Sequence, residues 1–321
     1  MPTHLTESDV RSLLDTQRLI HAIELAFRDR YPAVRIHPRI IAPLATGIFL
    51  SMSCHDPAHD VLGMKVVVLL NPEHSASDGG VHATYFLLDT RTSQPRLIIS
   101  ANYLTDLRTA ATSAVATKLL AREDVQTLGI FGTGRLARAH IQALPLVRPF
   151  QRVLICGRTV ERSRDFVQKV STDFPALNFA SADSTACARE SDVLCTCTSN
   201  STPLFDGRHL RPGTHLNLLG GFQSHVREVD TCTVLRSRVI VETHEAARNE
   251  IGEVLIPQKE NAIGPDHVAG DLHELVSGKI EGRKNPEEIT LYKSVGCALE
   301  DLVAAEQLVA ACASTGNAGS L

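Results

Sequence analysis

The stretch Thr127-Leu128-Gly129-Ile130-Phe131-Gly132-Thr133-Gly134-Arg135-Leu136-Ala137 decides the fold. Its first five residues are an apolar, partly β-branched run of strand length, and its last residues open a helical pattern that reaches Leu144, where Pro145 is expected to stop it. A Gly-x-Gly-x-x-Ala string says little by itself, because glycines occur in turns of every kind. Between a strand and a helix it says more. Gly132 can make the tight turn, Gly134 lets the backbone approach a pyrophosphate, and Ala137 lets helix and strand pack closely. Gly132, Thr133, Gly134, Arg135 and Leu136 are therefore expected to present backbone N–H groups to the phosphates of a dinucleotide at a helix N-terminus.

Downstream, Arg152-Val153-Leu154-Ile155-Cys156 reads as the next strand, followed by Gly157-Arg158-Thr159, with Arg162 one turn on. An acidic residue usually stands at this strand end and takes the ribose 2′-hydroxyl, but none is available here. Arg158 can face a 2′-phosphate with two parallel charge-assisted hydrogen bonds, and Thr159 can add another. NADP(H) is thus expected over NAD(H), with NAD(H) still admissible. Short apolar runs recur at Val193-Leu194-Cys195-Thr196, His215 to Leu219 and Val239-Ile240-Val241, separated by loops or helical segments. That alternation predicts a Rossmann-type, doubly wound parallel sheet over residues 119–293.

The flanks have another character. Thr6 to Ala26 reads as one helix, opened by a capping box of Thr6 and Asp9 and closed before Pro32 and Pro38. Strand-like runs follow over Ile48–Leu70 and Val81–Ile99, broken at His55-Asp56-Pro57 and at Ser75-Ala76-Ser77-Asp78-Gly79-Gly80. Thr105 to Leu120 is an Ala-rich helix. Ser294 to Ala313 reads as a helix too apolar on one face to be a tail, so it is expected to pack back on the first unit. The fold class is therefore α/β: a Rossmann-type domain plus an α+β domain made of residues 1–118 and completed by 294–321.

Composition narrows the partner. A chain of 321 residues with 43% hydrophobic and 21% charged residues and a net charge of −4 gives no global electrostatic reason to expect nucleic acid or anionic lipid. No apolar run approaches the ~20 residues that span a bilayer, and the N-terminal residues are polar where a signal peptide needs an apolar core, so neither a membrane nor export is expected and the compartment is the cytosol. Eight scattered cysteines without a Cys-x-x-Cys pair read as reduced, buried, small hydrophobes. Cys54-His55-Asp56-Pro57-Ala58-His59-Asp60 holds metal-ligand residue types, yet Pro57 forbids the helix that would align His55 with His59; a polar loop and no metal are expected. Asn200-Ser201-Thr202 has the form of a glycosylation acceptor without the export that would make it one.

Three cations remain. Lys65 sits in the apolar run Leu62-Gly63-Met64-Lys65-Val66-Val67-Val68, where an ammonium is costly to bury, so it either lines a site or snorkels to the strand's edge. Arg108 opens the Ala-rich helix beside Thr109, and Arg39 lies in His37-Pro38-Arg39-Ile40. Together they would suit a substrate bearing a carboxylate.

With these residues in view, the chain resembles the ornithine cyclodeaminase/mu-crystallin family over essentially its whole length. The resemblance rests on Leu5-Thr6-Glu7-Ser8-Asp9-Val10, Gly63-Met64-Lys65-Val66, the run from Leu104 through Arg108-Thr109-Ala110-Ala111 to Ala116, Gly132-Thr133-Gly134, Cys195-Thr196-Cys197-Thr198, Asn217-Leu218-Leu219-Gly220-Gly221, Arg227-Glu228-Val229-Asp230 and Lys293-Ser294-Val295-Gly296 with Glu300-Asp301. It implies a homodimer whose N-terminal unit and C-terminal helix build the interface and the substrate pocket. It places Arg39, Lys65 and Arg108 around the substrate carboxylate, Lys65 near the reacting nitrogen, and Thr109, Thr198, Gly220 and Val295 at the nicotinamide end. Cyclodeaminases of the family carry aspartate after the paired glycines, whereas this sequence has Gly220-Gly221-Phe222. The expected activity is therefore NADPH-dependent reduction of a 2-imino acid such as Δ1-pyrroline-2-carboxylate, with Lys65 as the catalytic residue. An alanine-type dehydrogenase, a cyclodeaminase and a non-catalytic crystallin-like binding protein are the alternatives.

Overall fold

The computed structural model describes residues 3–71, 73–74 and 80–314. The chain divides into two compact units, Met1–Thr109 with Cys297–Leu321, and Ala110–Gly296. The division falls inside one long helix, Asn102–Leu120.

The first unit is α+β. Its strands are β1 (Thr3–Leu5), β2 (Arg35–Ile36), β3 (Ile40–Leu44), β4 (Gly47–Asp56), β5 (Val61–Leu70), β6 (Val81–Asp89) and β7 (Pro95–Ser100). They form a sheet in the order β1-β7-β6-β5-β4-β2, with β3 also paired to β4. On β5 every second residue, Val61, Gly63, Lys65 and Val67, is buried, the period-two signature of a sheet with one covered face. The C-terminal helix, Ala298–Ser314, packs against β4, β5 and the helix Thr16–Leu25 and supplies that cover. It starts four residues later than the sequence pattern proposes, because Ser294 to Cys297 run in non-helical backbone.

The single helix expected over Thr6–Ala26 is two. The capping box of Thr6 and Asp9 is present and opens Glu7–Leu13. Leu14 is extended, and Asp15 then caps a second helix by accepting the Arg18 backbone N–H at 2.7 Å. A second capping residue outcompetes helical continuity over one step. A π-helical turn, Ala26–Arg30, carries the chain beyond the expected end. The Cys54–Asp60 segment is half strand and half turn: Cys54, His55 and Asp56 end β4, and only 57–60 form the loop. Buried Asp56 binds Arg30 at 2.7 Å and His59 at 2.9 Å. The polar cluster Ser75–Gly79 lies outside the described residues.

The second unit carries eight parallel strands: β8 (Thr127–Phe131), β9 (Arg152–Cys156), β10 (Asn178–Ser181), β11 (Val193–Thr196), β12 (His215–Leu218), β13 (Ser237–Val241), β14 (Val268–Asp271) and β15 (Ile289–Lys293). Their order is β10-β9-β8-β11-β12-β15-β13-β14. Residues of β11, β12 and β15 are buried without alternation, as expected of parallel strands covered on both faces. The strand order reverses between β8 and β11, the switch point at which doubly wound sheets bind ligands. The helix after β8 is Arg135–Ala143, and Pro145 lies in a 3-10 turn that continues it, where no helical N–H is needed.

All eight cysteines are free; five are buried and Cys156, Cys197 and Cys232 are half-buried, fewer than the sequence reading expects. Among the described residues, no helix is long and apolar enough to cross a membrane.

Candidate functional site

In the first unit the inner face of β5 leads to a charged cluster. Lys65 is 2% exposed, so the snorkelling alternative is excluded, and its Nζ donates to Asp301 Oδ1 at 2.8 Å. The same oxygen lies 2.9 Å from Nε of Arg108, and Arg108 also pairs with Glu300. Both carboxylates are fully buried in the first turn of the C-terminal helix. Burial pushes the Lys65 ammonium down to about 8, helped by repulsion from Arg108 and opposed by Asp301 and Glu300. The sheet register pairs Ile40 with Ser51, Met52 with Lys65 and Lys65 with Tyr85. Arg39, half-buried just ahead of β3, therefore stands in the row of Met52 and Lys65, two strands or about 10 Å from the lysine. Thr109, next along from Arg108, donates its hydroxyl to the Thr105 carbonyl at 2.8 Å. The cluster holds one guanidinium, that of Arg108, paired with both carboxylates, and an ammonium that can hold or release a proton near neutrality.

In the second unit the candidate residues follow the ends of successive parallel strands. Cys156, Phe131, Thr196, Leu218 and Lys293 lie level across β9, β8, β11, β12 and β15. Arg158, Thr133, Thr198, Gly220 and Val295 each follow by two residues, so they are strung along one edge of the sheet in that order. This is the track an extended dinucleotide needs. Gly132 has φ +118°, and a Cβ there would meet the Cys197 carbonyl oxygen at 2.3 Å, so only glycine makes this turn. Around Gly134, the N-cap of the helix Arg135–Ala143, a Cβ would meet nothing within 4 Å. That open cradle above helix N–H groups fits a pyrophosphate.

At the end of β9, Ser163 accepts the Gly157 N–H at 2.7 Å and donates to the Thr159 carbonyl at 3.1 Å, which fixes the turn. Arg158 and Arg162 are exposed, and neither forms an ion pair among the described residues. Thr159 serves the fold as well, since its hydroxyl accepts the Arg162 N–H at 3.3 Å as the cap of Val160–Asp173. The Glu161 carboxyl is held below its ordinary value by its own N–H and the Thr159 hydroxyl. The sequence reading of Thr159 as a phosphate donor did not include this cap.

Beneath Thr198, Gly220 and Val295 lies a buried polar network that sequence reasoning did not assign. Glu228 accepts hydrogen bonds from the hydroxyls of Thr196 and Thr198, each at 2.5 Å, and from the Gly220 N–H at 2.8 Å. Lys293 donates to the carbonyls of Gly220 and Gly221 and lies 3.3 Å from Glu253 Oε2, while Glu253 Oε1 accepts the Glu228 N–H at 3.0 Å. Glu242 accepts from the Ser294 hydroxyl at 2.6 Å and from the Val295 N–H at 3.4 Å. Phe222 is half-buried, directly after Gly221 with its φ of +67°. One further group, His244, Asp271 and Glu274, has its ligand atoms within 4.8 Å of one another. Asp271 and Glu274 form the capping box of a five-residue helix, which explains their closeness.

The sequence model of the ornithine cyclodeaminase/mu-crystallin family matches residues 2–316. A Δ1-pyrroline-2-carboxylate reductase of Colwellia psychrerythraea is 37% identical over 252 residues, 78% of this chain and 80% of that protein. The solved structure of the Thermococcus litoralis Δ1-pyrroline-2-carboxylate reductase, in complex with NADH and L-proline, superposes with a TM-score of 0.93 at 31% identity and covers 98% of both chains. An archaeal alanine dehydrogenase dimer with bound NAD superposes with a TM-score of 0.90 at 26% identity, covering 99% of this chain and 98% of that one.

Proposed function

The chain belongs to the ornithine cyclodeaminase/mu-crystallin family, and from that premise we propose that it reduces the C=N bond of a 2-imino acid, foremost Δ1-pyrroline-2-carboxylate, to the amino acid with a reduced nicotinamide dinucleotide. The observation that carries this reading is the buried cluster in which Lys65 and Arg108 share Asp301. Arg108 and Arg39 hold the substrate carboxylate, which fixes the imine carbon so that positioning supplies much of the rate. Lys65, kept cationic by Asp301, maintains a proton at the imine nitrogen and so makes the adjoining carbon electrophilic. The nicotinamide, when bound, supplies the hydride. Its dinucleotide is held by Gly132 to Leu136 at the phosphates and by Thr198, Gly220 and Val295 at the far end of the strand row.

NADP(H) is preferred over NAD(H), because Arg158 and Arg162 stand at the β9 end where a 2′-phosphate would lie and no carboxylate occupies the strand end. The protein is a homodimer. Support comes from β3, an edge strand that exposes Ile40, Ile41 and Leu44 at 59%, 45% and 42%, more apolar edge than a soluble sheet leaves uncovered. The alanine dehydrogenase relative is itself a dimer.

The test is oxidation of NADPH and NADH with Δ1-pyrroline-2-carboxylate, a six-membered cyclic imine, and pyruvate plus ammonia or methylamine. Turnover of a cyclic imine is expected, with Lys65→Ala folded, dinucleotide-binding and at least about 100-fold slower. Absence of turnover with all of them would overturn the assignment.

A further inference from the structure

The hydrogen-bond directions around Glu228 define what the half-buried Thr198 hydroxyl offers to a ligand. Oε2 of Glu228 already accepts two donors, the Thr196 hydroxyl and the Gly220 N–H, while the Thr196 oxygen accepts the Leu219 N–H at 3.3 Å. Among the described residues, Oε1 accepts from Thr198 alone, at 2.5 Å. An ionised carboxylate accepts and never donates, so the Thr198 proton must point to Glu228. The same hydroxyl oxygen accepts the Asn200 N–H at 3.1 Å. One lone pair is left. The neighbouring carbonyls of Gly220 and Gly221 each accept from the Lys293 ammonium, whereas the Thr198 hydroxyl faces no cation among the described residues. The packing is tight: a Cβ on Gly220 would meet the Thr198 backbone carbonyl oxygen at 2.2 Å and Glu228 Oε1 at 2.4 Å, so only glycine lets Glu228 lie this close to the Gly220 backbone.

We propose that Glu228 is a positioning residue that locks the Thr198 hydroxyl as a hydrogen-bond acceptor, and that this lock selects the amide end of a nicotinamide dinucleotide over its carboxylate analogue. The inference rests on the dinucleotide reading above. A carboxamide N–H meets the Thr198 lone pair favourably, whereas the carboxylate of a nicotinic-acid dinucleotide meets it with like polarity. The lock opens in one way. Because Oε2 already accepts two donors, a proton added to Glu228 goes to Oε1, and donating it to Thr198, its hydrogen-bond partner there, would turn the Thr198 proton outward and make that hydroxyl a donor. Burial raises the Glu228 carboxyl to about 7; Glu253 adds to the effect, and Lys293 with the hydroxyls of Thr196 and Thr198 oppose it. These are the charged and polar side chains that face it from β11, β15 and the helix Gly252–Lys259. The acceptor state therefore prevails above pH 7 and the donor state below.

The experiment is calorimetric titration of the full-length protein with whichever of NAD+ or NADP+ binds better and with its nicotinic-acid analogue, at pH 6 and pH 8. The wild type is expected to prefer the amide by about tenfold or more at pH 8, the value of one hydrogen bond exchanged for an unmatched polar contact, and by less at pH 6. Glu228→Gln keeps the shape but donates an N–H to Thr198, and Thr198→Val removes the hydroxyl. Both should shrink the preference at pH 8. If either variant weakens both ligands equally and the ratio survives, Glu228 only supports the fold and the inference falls. Equal wild-type binding of amide and carboxylate at pH 8 also overturns it while leaving the dinucleotide site intact; no binding of either ligand overturns the dinucleotide reading itself. Should Glu228→Gln not fold, the wild-type pH comparison and Thr198→Val decide the matter.

Discussion

Asp301→Asn removes one charge and almost no volume from the Lys65 cluster. The carboxylate lies 2.8 Å from the Lys65 ammonium, and the two side chains are 0% and 2% exposed, so solvent screens the pair little. With an effective dielectric constant of ~20, two unit charges about 3 Å apart attract by an upper bound of ~5 kcal/mol. A neighbouring opposite charge moves a pKa in practice by ~1–3 units. Burial and Arg108 would then act on Lys65 with only Glu300 opposing, and its value, about 8 in the intact protein, would fall toward 6. The measurement is kcat/KM for a cyclic 2-imino acid from pH 5 to 9.5. The basic limb should move down by about two units, so that the variant is roughly 20-fold slower at pH 7.5 and approaches the wild type near pH 5. Titration of the substrate nitrogen is common to both proteins and cancels in the comparison. Stability gives a second reading. The Lys65 value lies below its ordinary 10.5, so its contribution to stability is present above that pH and is lost as pH falls through about 8. The Tm deficit of Asp301→Asn should therefore widen below pH 8. A limb that stays in place, or a loss of rate equal at every pH, would refute the argument that Asp301 acts through the lysine's proton.

Three further outcomes are expected. Arg158→Ala should weaken NADPH binding about tenfold, in line with a charge-assisted phosphate contact, and leave NADH nearly unchanged; equal loss for both would refute the 2′-phosphate assignment. Ile40→Lys combined with Leu44→Lys should convert a dimer to a monomer in light scattering, whereas an unchanged mass would place the interface elsewhere. With ornithine and catalytic NAD(P)+ no stoichiometric proline and ammonia should form, since Phe222 cannot hold an ammonium by charge; formation of both would show another residue doing an aspartate's work.

The parts of the site that were legible in sequence are those whose chemistry is local. Gly132 and Gly134 could be read because strand, turn and helix follow each other within eleven residues, and the cradle depends on that order alone. Arg158 stands out in sequence as a departure from the acidic residue usual at that strand end, and its role in holding a 2′-phosphate is part of the proposal. Strands β10, β14 and β15 were not seen, although β15 lies inside the sheet between β12 and β13. Its Ile289-Thr290-Leu291-Tyr292-Lys293 is a short mixed run, and what makes it a strand is two neighbours more than forty residues away in sequence. The helix break at Leu14–Asp15 was missed for the opposite reason, a local cap overriding a periodic apolar pattern.

The same distinction separates the groups that meet ligands from the groups that hold them. Lys65 was suspect because an ammonium in an apolar strand demands an explanation, and the explanation, Asp301, is 236 residues away. Glu228, Glu253 and Lys293 meet only after three separate strand ends and a helix have assembled. Some had a sequence signal of the same kind, a charge beside apolar neighbours, as with Glu300-Asp301 between Leu299 and Leu302; Glu228, flanked by Arg227, did not. A buried charge is tolerated only when it is paired. Counting buried charges by sign, with Lys65, Arg108 and Lys293 on one side and Glu228, Glu242, Glu253, Glu300 and Asp301 on the other, would have required partners even before it could match them. The matching then sorts them by unit: two cations against two acids at the proposed imino-acid cluster, and one cation against three acids at the proposed nicotinamide end. The second set leaves carboxylates in excess of cations, and at Glu228 burial outweighs the attraction of Lys293, which raises its carboxyl to about 7.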